Sequence, residues 1–397
     1  GKGPGKLVME AIRKSFPGVL KALPCWAVTS LSARGRFPFR PRLFDLLVLD
    51  EASQSDIASL LPLLFRAKRA VVIGDPMQLK HISSITVNQE EALCKAHGLD
   101  EHLQGWRYAV NSAWDRTASR ASTEIKTLLR DHHRSHSDII EFSNQNFYGG
   151  KLRVMTRTAT LVSPDDGPAI EWIDVKGKPV RPRSGGVINE IEARAVVQVL
   201  EKLLVAGGFD GSVGVTSPFR MQADRIQELV KEHPTLKGLA EKASLAVRTV
   251  HQFQGDERDV IVLSPGVNGD GPKGALTFLR RNSYLFNVAV TRARAKLIVV
   301  GDKAGAAACG VEYLQKFVVW ADRVGRAGAK PLDPVTLGPD YPEDPALAPR
   351  YPAVKDLYSA LYKAGLKPIP RYPLDGIFVD LALVGGPEPL AIEVLGE

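Results

Sequence analysis

Asp50 and Glu51 are well placed for catalysis, because they directly follow an apolar run. The run Leu43–Leu49 has the composition of a strand buried on both faces, as in a parallel sheet. Ligands bind at the carboxyl ends of such strands. There an aspartate can hold Mg²⁺, and a following glutamate can position the water that attacks a phosphate. Acidic pairs also follow strands by chance, so this pair alone leaves both interpretations open.

Strand and helix patterns alternate around this pair, which predicts parallel β-α-β units and an α/β fold. Helices are expected at Ser135–Tyr148 and after Ser217, where Ser217 would cap the helix and Pro218 would open it. Apolar runs predict strands near residues 25–30, 43–49, 70–73, 125–129, 213–217, 245–250, 260–264 and 297–301. We therefore expect two sheet domains, over residues 1–120 and 121–305.

Residues 306–350 are expected to form a helical segment and a linker, since the stretch from Gly325 to Arg350 is rich in Pro, Gly and Ala. Apolar residues at helical spacing then predict a helix, and strands are expected at 367–372, 377–384 and 389–395. So short a stretch is too small for a comfortable core. Residues 351–397 are therefore expected to be part of a domain.

The composition narrows the class of protein. The chain has 397 residues and a formal net charge of +8, with a pI near 9.3. This charge suits a polyanionic partner, although many soluble proteins are as basic. The three cysteines form no CxxC pair, which argues against a zinc or iron–sulfur site and suits a reducing cytoplasm. No apolar stretch approaches the length of a membrane span, and no signal peptide is indicated.

Five segments within residues 20–305 resemble, in order, the motifs of superfamily-one helicases. The likeness is nearest to the branch of the nonsense-mediated-decay helicase and the Okazaki-fragment helicase-nuclease, and to large bacterial members with a nuclease-like tail. The segments are DEASQ at Asp50–Gln54 (motif II), GDPMQL at Gly74–Leu79 (motif III), HHRSHSDIIEFSNQNFY at His132–Tyr148 (motif IV), TVHQFQGDERDVIVLS at Thr249–Ser264 (motif V) and NVAVTRARAKLIVVGD at Asn287–Asp302 (motif VI). Their joint order makes the resemblance specific. It implies two RecA-like parallel-sheet domains that bind ATP and Mg²⁺.

The resemblance implies a role for each polar residue at the nucleotide. Asp50 would ligate Mg²⁺, Glu51 would orient the hydrolytic water, and Gln78 would sense the γ-phosphate. Arg134 and Arg292 would reach the phosphates from the second domain. An arginine finger is typically worth roughly 10³–10⁵ in rate, so closure of the two domains would switch hydrolysis on.

Gln254 and Glu257 belong to the motif V segment that resembles the nucleotide-contacting part of the family, with Glu257 at the ribose. Simpler interpretations remain for the basic residues. The TRAR sequence at Thr291–Arg294 could be a solvated cationic face, and Arg134 could pair with a nearby carboxylate. Metal binding is not favoured for the histidines, because no carboxylate or cysteine has matching spacing. These histidines are His132, His133 and His136.

By the same resemblance, three segments would line the path of a single strand. Their residues are Thr29, Ser30, Ser217, Pro218, Phe219, Arg220, Gln222, His251 and Gln252. Hydroxyls, amides and arginine suit phosphate contacts, and Phe219 could stack on a base. An aromatic residue at a helix start is as often part of the core, and Ser217 could be a helix cap only. The expected partner is single-stranded nucleic acid, with DNA favoured over RNA.

One necessary motif is missing from the sequence. ATP binding in this fold needs G-x-x-x-x-G-K-[S/T] between a strand and a helix, so that backbone amides and the lysine hold the phosphates. Gly1–Leu7 reads GKGPGKL, with too few residues between the glycines and Leu7 in place of Ser or Thr. We therefore expect a carboxyl-terminal fragment that alone binds ATP poorly. The alternative is a natural truncated protein whose partner supplies the loop.

Residues 351–397 resemble the start of a restriction-endonuclease-like domain, the PD-(D/E)XK type found in very-short-patch repair. Asp380 and Glu393 lie in neighbouring predicted strands and could converge on one face to hold Mg²⁺. The family's acidic residue in the first helix is replaced by Val354, and a polar residue after the glutamate by Leu395. A degenerate nuclease fold that only grips a duplex is therefore the alternative.

The sequence thus predicts part of an ATP-dependent helicase or translocase on single-stranded DNA. The resemblance implies 5′→3′ movement and a role in DNA repair or phage defence. Two alternatives stay open, a nucleic-acid-binding scaffold without turnover and a Mg²⁺-dependent nuclease that the helicase fold positions. The sequence leaves protein partners unspecified.

Overall fold

The structure is a computed structural model. It describes residues 14–99, 105–183, 185–241, 245–327, 333–343, 347, 349, 351–374, 377–386 and 388–394. The chain divides into two compact units, Gly1–Leu128 and Leu129–Glu397. The segment Gly1–Leu7 and the predicted strand residue Leu395 lie outside the described residues.

The first unit contains two parallel strands, β1 (Phe44–Leu49) and β2 (Ala67–Val72). A helical segment over 14–22 precedes them. The other helices are Ser30–Arg36, Ile57–Arg66, Val87–Ala96 and Ala113–Ala118, with a 3₁₀ turn at Thr123–Ile125. The predicted strand at 25–30 is wrong, because this segment lacks regular structure until Thr29 caps the helix that starts at Ser30.

The expectation that β1 is buried on both faces is also wrong. Leu49 is buried against Leu60 and Ala113, but Leu46 and Val48 are 50% and 56% exposed. Neighbouring residues of a strand point to opposite faces. Within the described part of the first unit, apolar packing therefore covers one face of this two-stranded sheet.

The second unit is built on a five-stranded parallel sheet with the order β5-β9-β8-β6-β7. Its strands are β5 (Ile170–Asp174), β6 (Val213–Ser217), β7 (Leu245–Thr249), β8 (Arg258–Leu263) and β9 (Ala293–Gly301). Two short strands, β3 (Asp131–His132) and β4 (Arg153–Val154), form a separate parallel pair. The central strands β6 and β8 are buried along nearly their whole length, which confirms the predicted parallel-sheet α/β fold and its RecA-like class.

Helices cover the sheet of the second unit. They are Ser137–Phe147, Glu190–Leu200 with a π-helical continuation Glu201–Ala206, Arg220–Glu232, Leu236–Glu241, Lys273–Arg281, Ser283–Val290, Lys303–Ala308 and Glu312–Ala327, with 3₁₀ turns at Thr158–Thr160 and Val250–Phe253. None of the helices in the described chain is long and apolar enough to cross a bilayer.

Two sequence predictions between residues 121 and 305 are wrong, and one strand of this region was not predicted. The segment 125–129 contains no strand, and its Leu129 is 78% exposed. The strand β5 is missing from the predicted set, because an edge strand can carry charges such as Glu171 that interrupt an apolar run. The helix expected to open at Ser217 begins at Arg220 instead, since Ser217 still belongs to β6.

The last part of the second unit is a helix, Pro352–Lys363, and an antiparallel meander of β10 (Ile369–Leu374), β11 (Ile377–Leu383) and β12 (Leu390–Ile392). The predicted helix and the three strand regions are confirmed. Tyr341, Val354, Tyr358 and Leu381 form a small core. The nuclease-like assignment of this segment remains a prediction.

Candidate nucleotide and nucleic-acid sites

In the first unit, motifs II and III lie side by side at the carboxyl ends of β1 and β2. The Ile73 amide donates to the Leu49 carbonyl and the Ala52 amide to the Ile73 carbonyl, each at 2.8 Å. Gly74 permits this close approach, because a Cβ there would lie 3.1 Å from the Ser53 amide nitrogen of motif II and 2.9 Å from the Trp114 ring. The structure therefore brings together the two polar segments that the sequence placed at neighbouring strand ends.

The backbone and side chain of Glu51 are held in an unusual arrangement. Its φ is 52°, in the left-handed region that non-glycine residues rarely adopt. Its amide donates to Asp50 Oδ1 at 2.9 Å, and its Oε2 accepts from Gln54 Nε2 at 2.7 Å. Such strain is of order 1–3 kcal/mol and clusters at functional sites. The side chain of Gln78 donates to Asp75 Oδ2 at 2.8 Å, so Asp75 orients the predicted γ-phosphate sensor.

In the second unit, charged side chains gather at the amino ends of β8 and β9. Arg134 forms an ion pair with Glu257. Arg294 lies 3.6 Å from the same carboxylate and 3.5 Å from Asp259. In the sequence, Arg294 belongs to the TRAR string and had no predicted role of its own. By resemblance, Glu257 was predicted to contact the ribose. In this structure it forms ion pairs with Arg134 and Arg294.

Arg292 is turned into the second unit. It is 3% exposed, and its guanidinium donates to the carbonyls of Val288 and Asp256 at 3.3 and 3.4 Å. By resemblance, Arg292 was expected to reach the phosphates from the second domain. In this structure the buried guanidinium instead satisfies carbonyls of its own unit, and its role at a phosphate remains a prediction.

His132 lies among these arginines. Its Nε2 accepts from the Ser135 amide at 2.9 Å, which leaves Nδ1 to carry the proton of the neutral ring. Burial, assisted by the positive charges of Arg134 and Arg292, lowers its pKa to about 4. The ring is therefore neutral near pH 7 and adds no charge to the cluster. Among the described residues, no group of three His, Cys, Asp or Glu side chains can hold a metal.

Gln254 has a buried side-chain donor that a ligand would satisfy. Within the described chain, its buried Nε2 has no hydrogen-bond partner, and leaving such a donor unpaired costs about 1–3 kcal/mol. A nucleotide offers acceptor oxygens. In the second unit, this donor and the arginines suit the oxygen atoms of a nucleotide. In the first unit, taken by itself, the acidic pair suits Mg²⁺. The sequence contains no phosphate loop.

At the carboxyl ends of the same sheet, several predicted nucleic-acid contacts are buried. Ser217 and Gln222 are 0% exposed, and Phe219 is 7% exposed. Ser217 Oγ accepts from the Phe219 amide at 3.2 Å. In this structure, Ser217 and Gln222 are therefore not placed to contact a strand directly. Phe219 is a core residue, which is one of the two alternatives that the sequence left open. Pro218 is half-buried between them.

Gln222 belongs to a buried polar network centred on Glu192, which the sequence analysis missed. Gln222 Nε2 donates to Ser264 Oγ at 3.0 Å and to the Asn189 carbonyl at 3.3 Å. Glu192 Oε1 accepts from the Ser264 hydroxyl at 2.5 Å and from the Gly266 amide at 2.7 Å. Burial raises the pKa of Glu192 to about 7. The network ties two helix starts to the loop after β8.

The remaining predicted contacts are accessible. The Arg220 side chain is 85% exposed, 3.6 Å from Asp224, and His251 and Gln252 are exposed after β7. Gln252 also accepts from the Thr249 amide at 3.1 Å. In the first unit, Thr29 is exposed and Ser30 is half-buried, and the Thr29 hydroxyl caps a helix. These residues could meet phosphates, although the caps are a sufficient reason for Thr29 and Gln252.

The nuclease-like residues are only partly arranged as predicted. Leu381 pairs with Ile392, so the register continues to place Asp380 opposite Glu393 on one face. Asp380 is 6% exposed, and its Oδ2 accepts from the Val394 amide at 2.8 Å. Glu393 is exposed. A buried carboxylate that already accepts from a backbone amide is a poor start for a metal site. Val354, which replaces the acidic residue of the family, lies in the small core of this segment.

Comparisons with known proteins agree with the motifs. Residues 28–82 and 110–304 match two family models, each described as an AAA domain. An uncharacterized ATP-dependent helicase of Mycoplasma genitalium is 31% identical over 72% of this chain and 25% of its own length. The DNA polymerase alpha-associated DNA helicase A of Saccharomyces cerevisiae is 29% identical over 71% of this chain and 41% of its own length.

A solved structure of the PRRSV helicase is similar over 64% of this chain and 34% of the helicase chain. The sequence identity is 17%, and the TM-score is 0.31. The chain spans about a quarter to a third of the length of the first curated relatives. The sequence matches and the RecA-like sheet together support a superfamily-one helicase core in this chain.

Proposed function

We propose that this chain is the part of an ATP-driven motor that carries the acidic motif and the second RecA-like domain, and that the motor moves on single-stranded nucleic acid. One observation carries the proposal. In the second unit, an arginine cluster with an unpaired donor lies where the parallel strands begin, which we call the amino edge of the sheet. The accessible nucleic-acid candidates lie where the strands end, which we call the carboxyl edge. This division suits a domain that couples a nucleotide at one edge to a strand at the other.

Asp50 would hold Mg²⁺ at the carboxyl end of β1. When bound, Mg²⁺ neutralises charge on the phosphate oxygens. Glu51 would orient the attacking water, and the Gln54 amide keeps the Glu51 carboxylate in a fixed direction. Gln78, oriented by Asp75, would report the presence of the γ-phosphate to the rest of the first unit.

Arg134 and Arg294 are the cations that the second unit offers to a polyphosphate. Glu257 now balances both charges, so a phosphate would replace a carboxylate and not enter an uncompensated positive site. Arg292 would have to leave two carbonyl acceptors to act as a finger. Gln254 Nε2 would donate to the nucleotide and gain the partner that it lacks.

The finer features of the proposal rest on resemblance. We favour DNA over RNA and 5′→3′ movement, with a role in repair or phage defence in the cytoplasm. The buried Asp380 makes a nuclease role for the final segment weaker than a duplex-gripping role.

ATP hydrolysis by the protein as its gene encodes it tests the motor. Single-stranded DNA is expected to stimulate hydrolysis, and Glu51→Gln is expected to abolish the stimulated rate while leaving strand binding intact. Gln54→Ala is the matched neighbour and should lower the rate less. No stimulation by any single strand would overturn the motor.

A scaffold without turnover is the second candidate, because the 397 residues lack a phosphate loop. For this chain alone, we expect strand binding without hydrolysis. Hydrolysis by the isolated chain would exclude the scaffold, and binding without hydrolysis by the encoded protein would favour it.

A further inference from the structure

Phe278 is an exposed aromatic side chain in the second unit. Of the phenylalanine and tryptophan side chains that the structure describes in the second unit, only Phe278 is exposed, at 38%. Its ring centroid lies 5.8 Å from that of Phe219, at the turn that leads into the exposed Arg220. Leaving an aromatic ring open to water forgoes the burial that usually stabilises it. Its position beside this turn therefore suggests a ligand.

The helix Lys273–Arg281 holds Phe278 in place. Ala275, Leu276 and Leu279 form its buried face. At its end, Arg280 donates to the carbonyls of Gly310 and Cys309 at 2.8 and 3.1 Å. The ring is therefore fixed from below by the helix and from one side by Phe219.

Phe219 itself is held by a glycine of the loop after β8. Gly266 has a φ of +68°, and a Cβ there would lie 3.2 Å from the Phe219 ring. Its amide donates to the buried Glu192. The buried network centred on Glu192 therefore holds the loop that packs on Phe219, and Phe219 in turn packs on the exposed Phe278 ring.

The exposed face of this helix is basic. Lys273 and Arg281 lie on it with Phe278, and residues 271–301 contain no aspartate or glutamate. Aromatic rings between basic residues suit single-stranded nucleic acid, because every base has a π-face and every linkage has a negative charge. An acidic protein would satisfy the charges but would gain little from a single open ring.

We propose that Phe278 is a base-stacking residue for single-stranded nucleic acid, and that Lys273 and Arg281 contact its phosphates. This proposal rests on the proposed function and extends the strand path from Arg220 onto the helix Lys273–Arg281. Phe219 supports the stacking ring from behind and does not itself contact a base.

Strand binding by the full chain tests the proposal, measured by fluorescence anisotropy with a labelled single-stranded DNA at several salt concentrations. Phe278→Ala is expected to raise Kd about 10-fold, within the range of single stacking contacts. Phe278→Trp should bind at least as well as the wild type, since it keeps a stacking surface. Phe278→Leu, which still packs on Phe219, should bind as weakly as Phe278→Ala.

The salt dependence separates stacking from charge. Phe278→Ala should keep the slope of log K against log salt, whereas Arg281→Ala should reduce it by about 0.7 for the lost phosphate contact. Val319→Ala is the matched control, because it removes a 61% exposed apolar side chain from the helix Glu312–Ala327. It should bind like the wild type.

Binding by Phe278→Ala within twofold of the wild type would overturn this proposal alone, as would equal binding by Phe278→Leu and Phe278→Trp. Failure of the wild type to bind any single strand would overturn the proposed function as well. Unfolding midpoints of all variants identify any loss of binding that comes from loss of the fold.

Discussion

The two edges of the five-stranded sheet are built on different physical principles. At the amino edge, Arg134, Arg294 and Glu257 form ion pairs that remain about 40% exposed. At the carboxyl edge, Glu192 and Gln222 are completely buried, and their hydrogen bonds to Ser264 and Gly266 are bonds to neutral groups. Exposed pairs exchange partners at low cost, whereas a buried network is costly to disturb.

This difference shows what each edge can do. At the amino edge, a phosphate can replace Glu257 as the partner of Arg134 and Arg294, since these charges are already balanced and accessible. The carboxyl edge keeps its loops in one arrangement, and a strand can meet only the side chains that project from it, such as Arg220. A substitution at the amino edge should therefore affect catalysis, and one in the network should affect stability.

Arg134→Ala is expected to have the largest effect. It should lower strand-stimulated ATP hydrolysis by the encoded protein by roughly 10³-fold or more, because an arginine finger contributes on this scale. Strand affinity should change little, because Arg134 lies at the opposite edge. Steady-state hydrolysis and anisotropy on the same samples measure both quantities.

Arg153→Ala is the matched control for Arg134→Ala. Its side chain is 63% exposed and paired with Asp131, so its removal should leave hydrolysis unchanged. If Arg134→Ala kept more than a tenth of the wild-type rate, the cluster would be a structural ion pair and the contrast between the edges would lose its functional meaning.

The contrast also explains which features of the fold and the sites could be predicted. Apolar runs located β6 and β8, because central parallel strands are apolar throughout. The edge strand β5 escaped detection, since Glu171 and Asp174 break the pattern. The family resemblance singled out Arg134 and Glu257, but a family motif does not reveal which of its polar residues are buried.

Gln222 and Arg292 illustrate this limit. The resemblance gave each of them a contact with a ligand, yet Gln222 supports the turn from below and Arg292 satisfies carbonyls of its own unit. Glu192 lies outside every motif used for the resemblance. Its position in the first turn of an amphipathic helix looks like an N-terminal charge, and only the tertiary contact with Ser264 and Gly266 distinguishes it.

Glu192→Ala is expected to have the next largest effect. It would leave the Ser264 hydroxyl, the Gly266 amide and the Asn189 side chain without their buried acceptor, at a cost of about 3 kcal/mol. The free energy of unfolding of the chain, from urea denaturation, measures this loss. Glu192→Gln should recover part of it, because the amide oxygen can still accept from Ser264 and Gly266.

Glu190→Ala tests whether burial causes the loss of stability. Glu190 occupies the same helical turn but binds Arg194 and Arg225 at the surface, and such pairs contribute about 0–1 kcal/mol. Equal destabilisation by Glu190→Ala and Glu192→Ala would contradict the difference between a buried network and a surface pair.

The smallest expected effect is the pH dependence that His132 adds at the amino edge. Its pKa is about 4 in the folded chain, against about 6.5 when unfolded. The unfolded state therefore binds the proton first as pH falls, so the stability contributed by the neutral ring is complete above pH 6.5 and is lost progressively towards pH 4. Glu192 acts in the opposite sense, since its raised pKa costs stability as pH rises through about 7.

Comparing variants isolates the histidine from the glutamate. Between pH 7.5 and 5, the melting temperature of His132→Gln should fall about 2–4 °C less than that of the wild type, because glutamine can accept from the Ser135 amide and does not titrate. His133→Gln, at the exposed neighbouring position, should follow the wild type. Parallel curves for His132→Gln and the wild type would mean that the arginines and the burial around His132 do not suppress its protonation, and the amino edge would then carry an additional positive charge at low pH.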